Sequence, residues 1–342
     1  MLQEGVCDTV MTLSAGQLRR ELREAGIANA AINAVWPEWW SAEAKDSLSA
    51  TAELTYTVAR RLGLSPSALF DGSPQFLWHD STKFKNLGTA TDRHQAILAS
   101  FGTAVGRCAL NATPTAVFPS VTSAQSVRNA ILEQARFVDV TELLKFCWAM
   151  GIPVIQLRVF PLQQKHMQAM TVKVEGRYAI LLGYESEYYA RVAYILAHEI
   201  GHILLGHLEY SDNLLDMDDP LTADDPDGEE VEADRSALVL LTGRDDPQVI
   251  ADTESYKASQ LAQAAMAAAD QERIEPGVLA LCLGHATGRW LETYGALKII
   301  APGAQLVGNQ INQLAASQFD WEALSLANRD YLMQVMGLTD YA

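Results

Sequence analysis

The stretch Ala197-His198-Glu199-Ile200-Gly201-His202 limits the folds open to this chain more than any other feature. It lies inside an apolar run, with Tyr188, Val192, Tyr194 and Ile195 before it and Ile203, Leu204 and Leu205 after it. That run predicts one long helix from Ser186 to about Leu208, buried for most of its length. Two imidazoles and a carboxylate inside such a helix are costly unless they are paired or metallated. The fold therefore has to bring partners to them. Residues four apart share a helix face, so His198 and His202 aim two ring nitrogens at one ion, the HExxH spacing. Glu199 stands one step round, able to reach a water beside that ion but too offset to be a natural ligand.

A catalytic zinc site takes three protein ligands and keeps a fourth position open. A glycine and a histidine three and six residues after His202 would be one solution, but Leu205 and Leu208 stand there. His207, five residues from His202, projects off the metal face of a continuous helix and reads as a structural or supporting residue. The third ligand is expected downstream, in Glu229-Glu230-Val231-Glu232-Ala233-Asp234-Arg235-Ser236-Ala237. Glu230 is favoured, because Asp234 shares its helix face and can accept the outer N–H of a ligating histidine. Glu229 is the fallback. Glu232 lies about 200° round from Glu230, so only one of the two can ligate. Acids at a helix start are also favoured by the macrodipole alone, which accounts for Glu229 better than for Asp234.

With these residues, zinc (Zn2+) would acidify a water and polarise a scissile carbonyl. Glu199 would take the water's proton and pass it to the leaving amine. The donor for the developing oxyanion stays open among His166, Tyr178, Tyr184 and Tyr188. An exposed strand edge just before the long helix is a candidate to pair with an extended substrate. The chain has neither a GxSxG elbow nor a glycine-rich phosphate loop.

Around this centre the chain of 342 residues reads as α+β, mainly helical, with a small sheet packed on the HExxH helix. Val154 to Val159, Met170 to Val174 and Tyr178 to Leu182 predict the strands, and Glu175-Gly176 makes a hairpin of the last two. Residues 1–72 predict several short helices, residues 73–247 the metal-bearing domain with its core at about 152–243, and residues 248–342 a helical C-terminal domain that could hold the enzyme idle or bind a partner. Helices are expected over Asp92 to Leu110, Thr141 to Met150, Glu229 to Leu241, Ser259 to Arg273, Gly277 to Tyr294, Gln305 to Ser317 and Trp321 to Met336. From Ser211 to Asp234 the chain carries eleven acids and no Lys or Arg, and its part before the Glu229 helix is expected to be a loop.

The 42 acids against 25 Lys and Arg give a formal charge of −17, which argues against general nucleic-acid binding. No run approaches the roughly 18 apolar residues of a membrane span. The expectation is a cytoplasmic protein with free thiols, since the four cysteines are scattered and no basic start leads into an apolar block.

The two motifs and their separation, with the strand-turn-strand lead-in to the helix (about 152–243), resemble the ImmA/IrrE family of metallopeptidases. Residues 1–72 are similar to the Cro/cI-type helix-turn-helix domains often attached to such enzymes. The resemblance implies a gluzincin-like, zincin-type core with His198 and His202 as ligands, Glu230 as third ligand and Glu199 as catalytic base. It implies a protein substrate of the helix-turn-helix repressor kind, and roles in stress response, mobile-element excision or toxin–antitoxin-like modules. Two positions depart from the family pattern: Ser236, where an aromatic residue is usual, and Gly243, where a proline is usual. A competing expectation is a DNA-associated regulator whose metal site is structural or inactive, resting on the N-terminal helices and on Arg19, Arg20, Arg23, Arg60 and Arg61.

Overall fold

The computed structural model describes residues 13–77, 90–116, 123–163, 167–209, 213–216, 228–249, 255–303 and 305–338. They fall into two compact units: Met1–Val105 with Arg158–Lys165 and Ser325–Ala342, and Gly106–Leu157 with His166–Leu324. These units cut across the three-part division expected from the sequence. The last helix groups with the N-terminal segment, and the rest of the region after 248 groups with the metal-bearing segment.

The first unit is helical. Helix α1 (Ala15–Glu24) begins at a capping box formed by Ser14 and Gln17. Helices α2 (Asn29–Val35), α3 (Leu48–Leu62) and α4 (Pro66–Phe70) follow, with Ser47 and Ser65 capping the last two. Leu18, Leu22, Ile32, Leu54 and Leu69 are fully buried among them. Of the five arginines singled out in the sequence, Arg20, Arg23 and Arg60 are exposed and only Arg61 is buried. Arg61 donates to the Val35 and Ala327 carbonyls, Arg19 lies over the Trp36 ring, and Arg20 pairs with Glu21.

Helix α5 (Ala90–Asn111) runs from the first unit into the second, where α6 (Ala124–Leu132) and α7 (Val140–Ala149) follow. The sheet comprises β1 (Val154–Gln156), β2 (Ala169–Val174), β3 (Arg177–Leu182) and β4 (Asn213–Asp216), in the order β1-β3-β2-β4. The β2–β3 hairpin turns at Glu175-Gly176 as expected, β1 lies parallel to β3, and β4 lies antiparallel to β2. β4 was not expected: it occupies part of the acidic run read as loop, while 210–212 and 217–227 of that run lie outside the described residues. The β1 edge is closed, because Asn312 accepts from the Gln156 N–H at 2.8 Å and donates to its carbonyl at 2.8 Å. β3, the strand that directly precedes the long helix, is central between β1 and β2, so it has no edge to offer an extended substrate.

That long helix is α8 (Tyr189–Leu205), followed by α9 (Gly228–Thr242), α10 (Ala258–Glu272), α11 (Pro276–Thr287), α12 (Trp290–Ile300), α13 (Val307–Gln318) and α14 (Leu326–Met336). The single helix expected over Gly277 to Tyr294 is two, parted at Gly288-Arg289. The one expected from Trp321 begins as a short 3₁₀ turn and restarts behind a Ser325 cap. α8 packs against the sheet, and α7, α9 and α11 pack against α8, which accounts for its unbroken burial from Ala190 to Ile203. Among the described residues, Cys108, Cys147 and Cys282 form no disulfide. No helix among the described residues is long and apolar enough to cross a membrane.

Candidate metal centre

The site is built from two helices held unusually close. At Gly201 a Cβ would sit 3.0 Å from the Ala233 carbonyl oxygen and 3.2 Å from the Ser236 Cβ, so only glycine lets α9 approach α8 without displacement. That approach carries Glu230 over the metal face of α8. The His198 Nε2 stands 2.9 Å from the His202 Nε2 and 3.0 Å from the Glu230 Oε2, and the His202 Nε2 is 3.6 Å from the same oxygen. Both imidazoles are 1% exposed.

The outer ring nitrogens have partners as well. The His198 Nδ1 lies 2.8 Å from the Asp234 Oδ1, an oxygen that also accepts from the Tyr194 hydroxyl at 3.0 Å. The His202 Nδ1 lies 2.9 Å from the His207 Nδ1, and the His207 Nε2 lies 3.3 Å from the Glu232 Oε2. Helical projection placed His207 off the metal face. The helix has ended before it: Gly206 adopts φ 78°, a left-handed cap that folds the chain back and sets the His207 ring on His202. If each Nδ1 donates outward, to Asp234 and along the His207–Glu232 chain, both Nε2 atoms present lone pairs to one another and to a carboxylate oxygen. A proton on one Nε2, or a metal ion among the three, relieves that crowding of acceptors.

Their spacing suits a metal ion. Tetrahedral ligands at zinc–nitrogen and zinc–oxygen distances stand about 3.3 Å apart, and the three separations, 2.9, 3.0 and 3.6 Å, bracket that value. His198, His202 and Glu230 can thus hold a metal ion, and among the described residues they are the group of histidine, cysteine and carboxylate side chains that converges in this way. The electrostatics agree. Burial opposes charge on His198, yet hydrogen bonds to Asp234 and Glu230 and the charges of Glu199 and Asp234 outweigh it and raise its pKa to about 10. Burial likewise opposes charge on Glu230, but the two histidines hold it well below the usual carboxylate range. The pocket favours positive charge.

Glu199 is placed differently. It is 1% exposed, accepts from the Thr171 hydroxyl on β2 through Oε2, and leaves Oε1 buried without a hydrogen-bond partner. Burial raises its pKa, against the opposing pull of His202 and His198. Of the expected ligands, Glu230 is the carboxylate that joins the histidines. Glu229 does not join the group, and Glu232 instead faces His207. Asp234 meets His198 as anticipated. Thr171 and Tyr194 were not anticipated as partners of the site. A hydroxyl on a central strand and a tyrosine four residues before a ligand are the signals that marked them. Among the oxyanion candidates, Tyr184 lies under Arg191, Tyr188 packs on Tyr294, Tyr178 lies under Lys173, and His166 is outside the described residues. No protein-family model matches the chain, and neither does a curated protein or a solved structure.

Proposed function

We propose that the chain is a zinc-dependent endopeptidase that cleaves an intracellular protein, of the helix-turn-helix repressor kind. The observation that carries the hydrolase reading is the convergence of two buried histidines of α8, His198 and His202, with the half-buried Glu230 of α9 on one point, beside the buried carboxylate of Glu199. A divalent ion held there supplies a Lewis acid, acidifying water and polarising a carbonyl. The chain's own groups supply the rest. Asp234 and His207 keep the two imidazoles turned with Nε2 inward. Thr171 anchors one Glu199 oxygen, so the other, Oε1, is the acceptor for the attacking water's proton. Its raised pKa suits it to return that proton to the leaving nitrogen.

The choice of substrate rests on the motif resemblance alone. The test is cleavage of candidate repressors by the zinc-loaded protein and by its Glu199→Gln variant. The reading expects turnover by the first and loss of about a hundredfold or more in the second, with zinc content equal. Equal turnover by both forms would end it.

A further inference from the structure

In the same unit as the metal centre, α8, α9, α11 and the segment 246–249 line a partly open cavity of about 250 Å³. Tyr194, Leu238, Val249, Val278, Leu281 and Cys282 wall it. Burial pushes the Cys282 thiol up to about 12, so it is a neutral, weakly polar wall and not a nucleophile. Among the described residues, no Lys or Arg lines the cavity. Asp246 and His285 stand at it with exposed side chains, giving an apolar interior and a polar mouth. An apolar cavity of roughly 150 Å³ accommodates benzene, so this one has room for a ligand of about ten heavy atoms. Its walls are mainly apolar, and no permanent cation among the described residues stands there to hold a ligand carboxylate or phosphate.

Tyr194 belongs both to the cavity and to the hydrogen bonds around the metal centre. The Tyr194 ring is part of the cavity wall, while the hydroxyl donates to the Asp234 Oδ1, the oxygen that also holds the His198 Nδ1. Leu238 belongs to the same wall and sits one turn after Asp234 on α9. We propose that this cavity binds a small uncharged aromatic or alicyclic molecule, and that its occupancy tightens metal binding through Tyr194 and Asp234. An apolar occupant keeps solvent from the phenol, so the hydroxyl stays on Asp234 and Asp234 stays on His198. The second half of the proposal rests on the metal reading above; the first half does not.

Indole is the probe. Titrated into the full chain, it should bind saturably with a Kd of about 1 mM or tighter. Leu238→Trp, which fills the cavity, should weaken that binding about tenfold, and Val249→Trp should do the same should the first variant misfold. Zinc affinity, read by chelator competition at saturating indole, should rise about threefold in the native chain. In Tyr194→Phe, indole should still bind while the zinc response disappears. No saturable binding, or binding indifferent to both tryptophan variants, overturns the site. A zinc affinity that ignores indole in the native chain, or responds equally in Tyr194→Phe, overturns the coupling. A chain that holds no zinc yet binds indole in a tryptophan-sensitive way overturns the metal reading and the coupling and leaves the ligand site standing.

Discussion

Metal affinity should depend steeply on pH, and the slope is set by His198. Its pKa is raised from 6.5 to about 10 by the carboxylates around it. The raised value means that the folded, metal-free protein binds this proton more tightly than the unfolded chain does. The proton's contribution to stability is fully present below 6.5 and is lost as pH rises through about 10. A metal ion must displace that proton, so affinity runs the other way and climbs with pH. For a ligand titrating near 10, proton competition weakens about ninetyfold between pH 7 and pH 9, worth about 2.7 kcal/mol. For an ordinary histidine near 6.5 the same interval gives only about 1.3-fold. Glu230 adds nothing over this range, because the histidines hold it far below its usual value. Chelator competition at pH 7, 8 and 9 reads the ratio directly. In Asp234→Asn, which loses the charge facing the His198 Nδ1, the ratio should shrink severalfold. A native-chain ratio near 1.3 would refute the claim that the surrounding carboxylates act on His198.

Three further outcomes follow from the packing and the polar contacts. Asp234→Ala should weaken zinc binding by 10- to 100-fold, as loss of a partner to a ligating histidine does, with chelator competition as the readout. Gly201→Val should destabilise the chain by about 1–3 kcal/mol in urea and lower zinc affinity together, because its branches would force α9 off α8; unchanged affinity would mean that the helix approach does not position Glu230. Asn312→Leu should cost about 2–4 kcal/mol in urea without changing zinc affinity, since it strips both backbone groups of the buried Gln156 of their partner.

Much of the site was legible because helical spacing is a rigid ruler. The four-residue steps from His198 to His202 and from Glu230 to Asp234 hold in space, and so does the pairing of Asp234 with His198. The ruler failed where a helix stops. His207 reaches His202 only because Gly206 reverses the chain, a tertiary event that projection along a helix misses. Contacts with no local signature were illegible: Thr171 meets Glu199 across the sheet–helix interface, and Asn312 reaches Gln156 from 156 residues away. Gly201 sat in view inside the motif, but its reason, the Ala233 carbonyl against it, belongs to a helix placed by the fold. Helix boundaries followed the capping residues where Ser or Gly marked them. They slipped where Gly288 splits an apolar run, since an apolar pattern continues across a break. β4 was hidden in a run of acids, whose composition reads as loop while its backbone completes the β2 ladder.

The account turns on a single ion gripped by two imidazoles and one carboxylate, and metal stoichiometry tests that most directly. Purified chain, loaded with zinc and dialysed, should retain one equivalent by elemental analysis. The Glu230→Ala variant, folded by circular dichroism, should retain far less under the same dialysis. Native protein that emerges without zinc, or a variant that keeps as much as the native chain, contradicts the account.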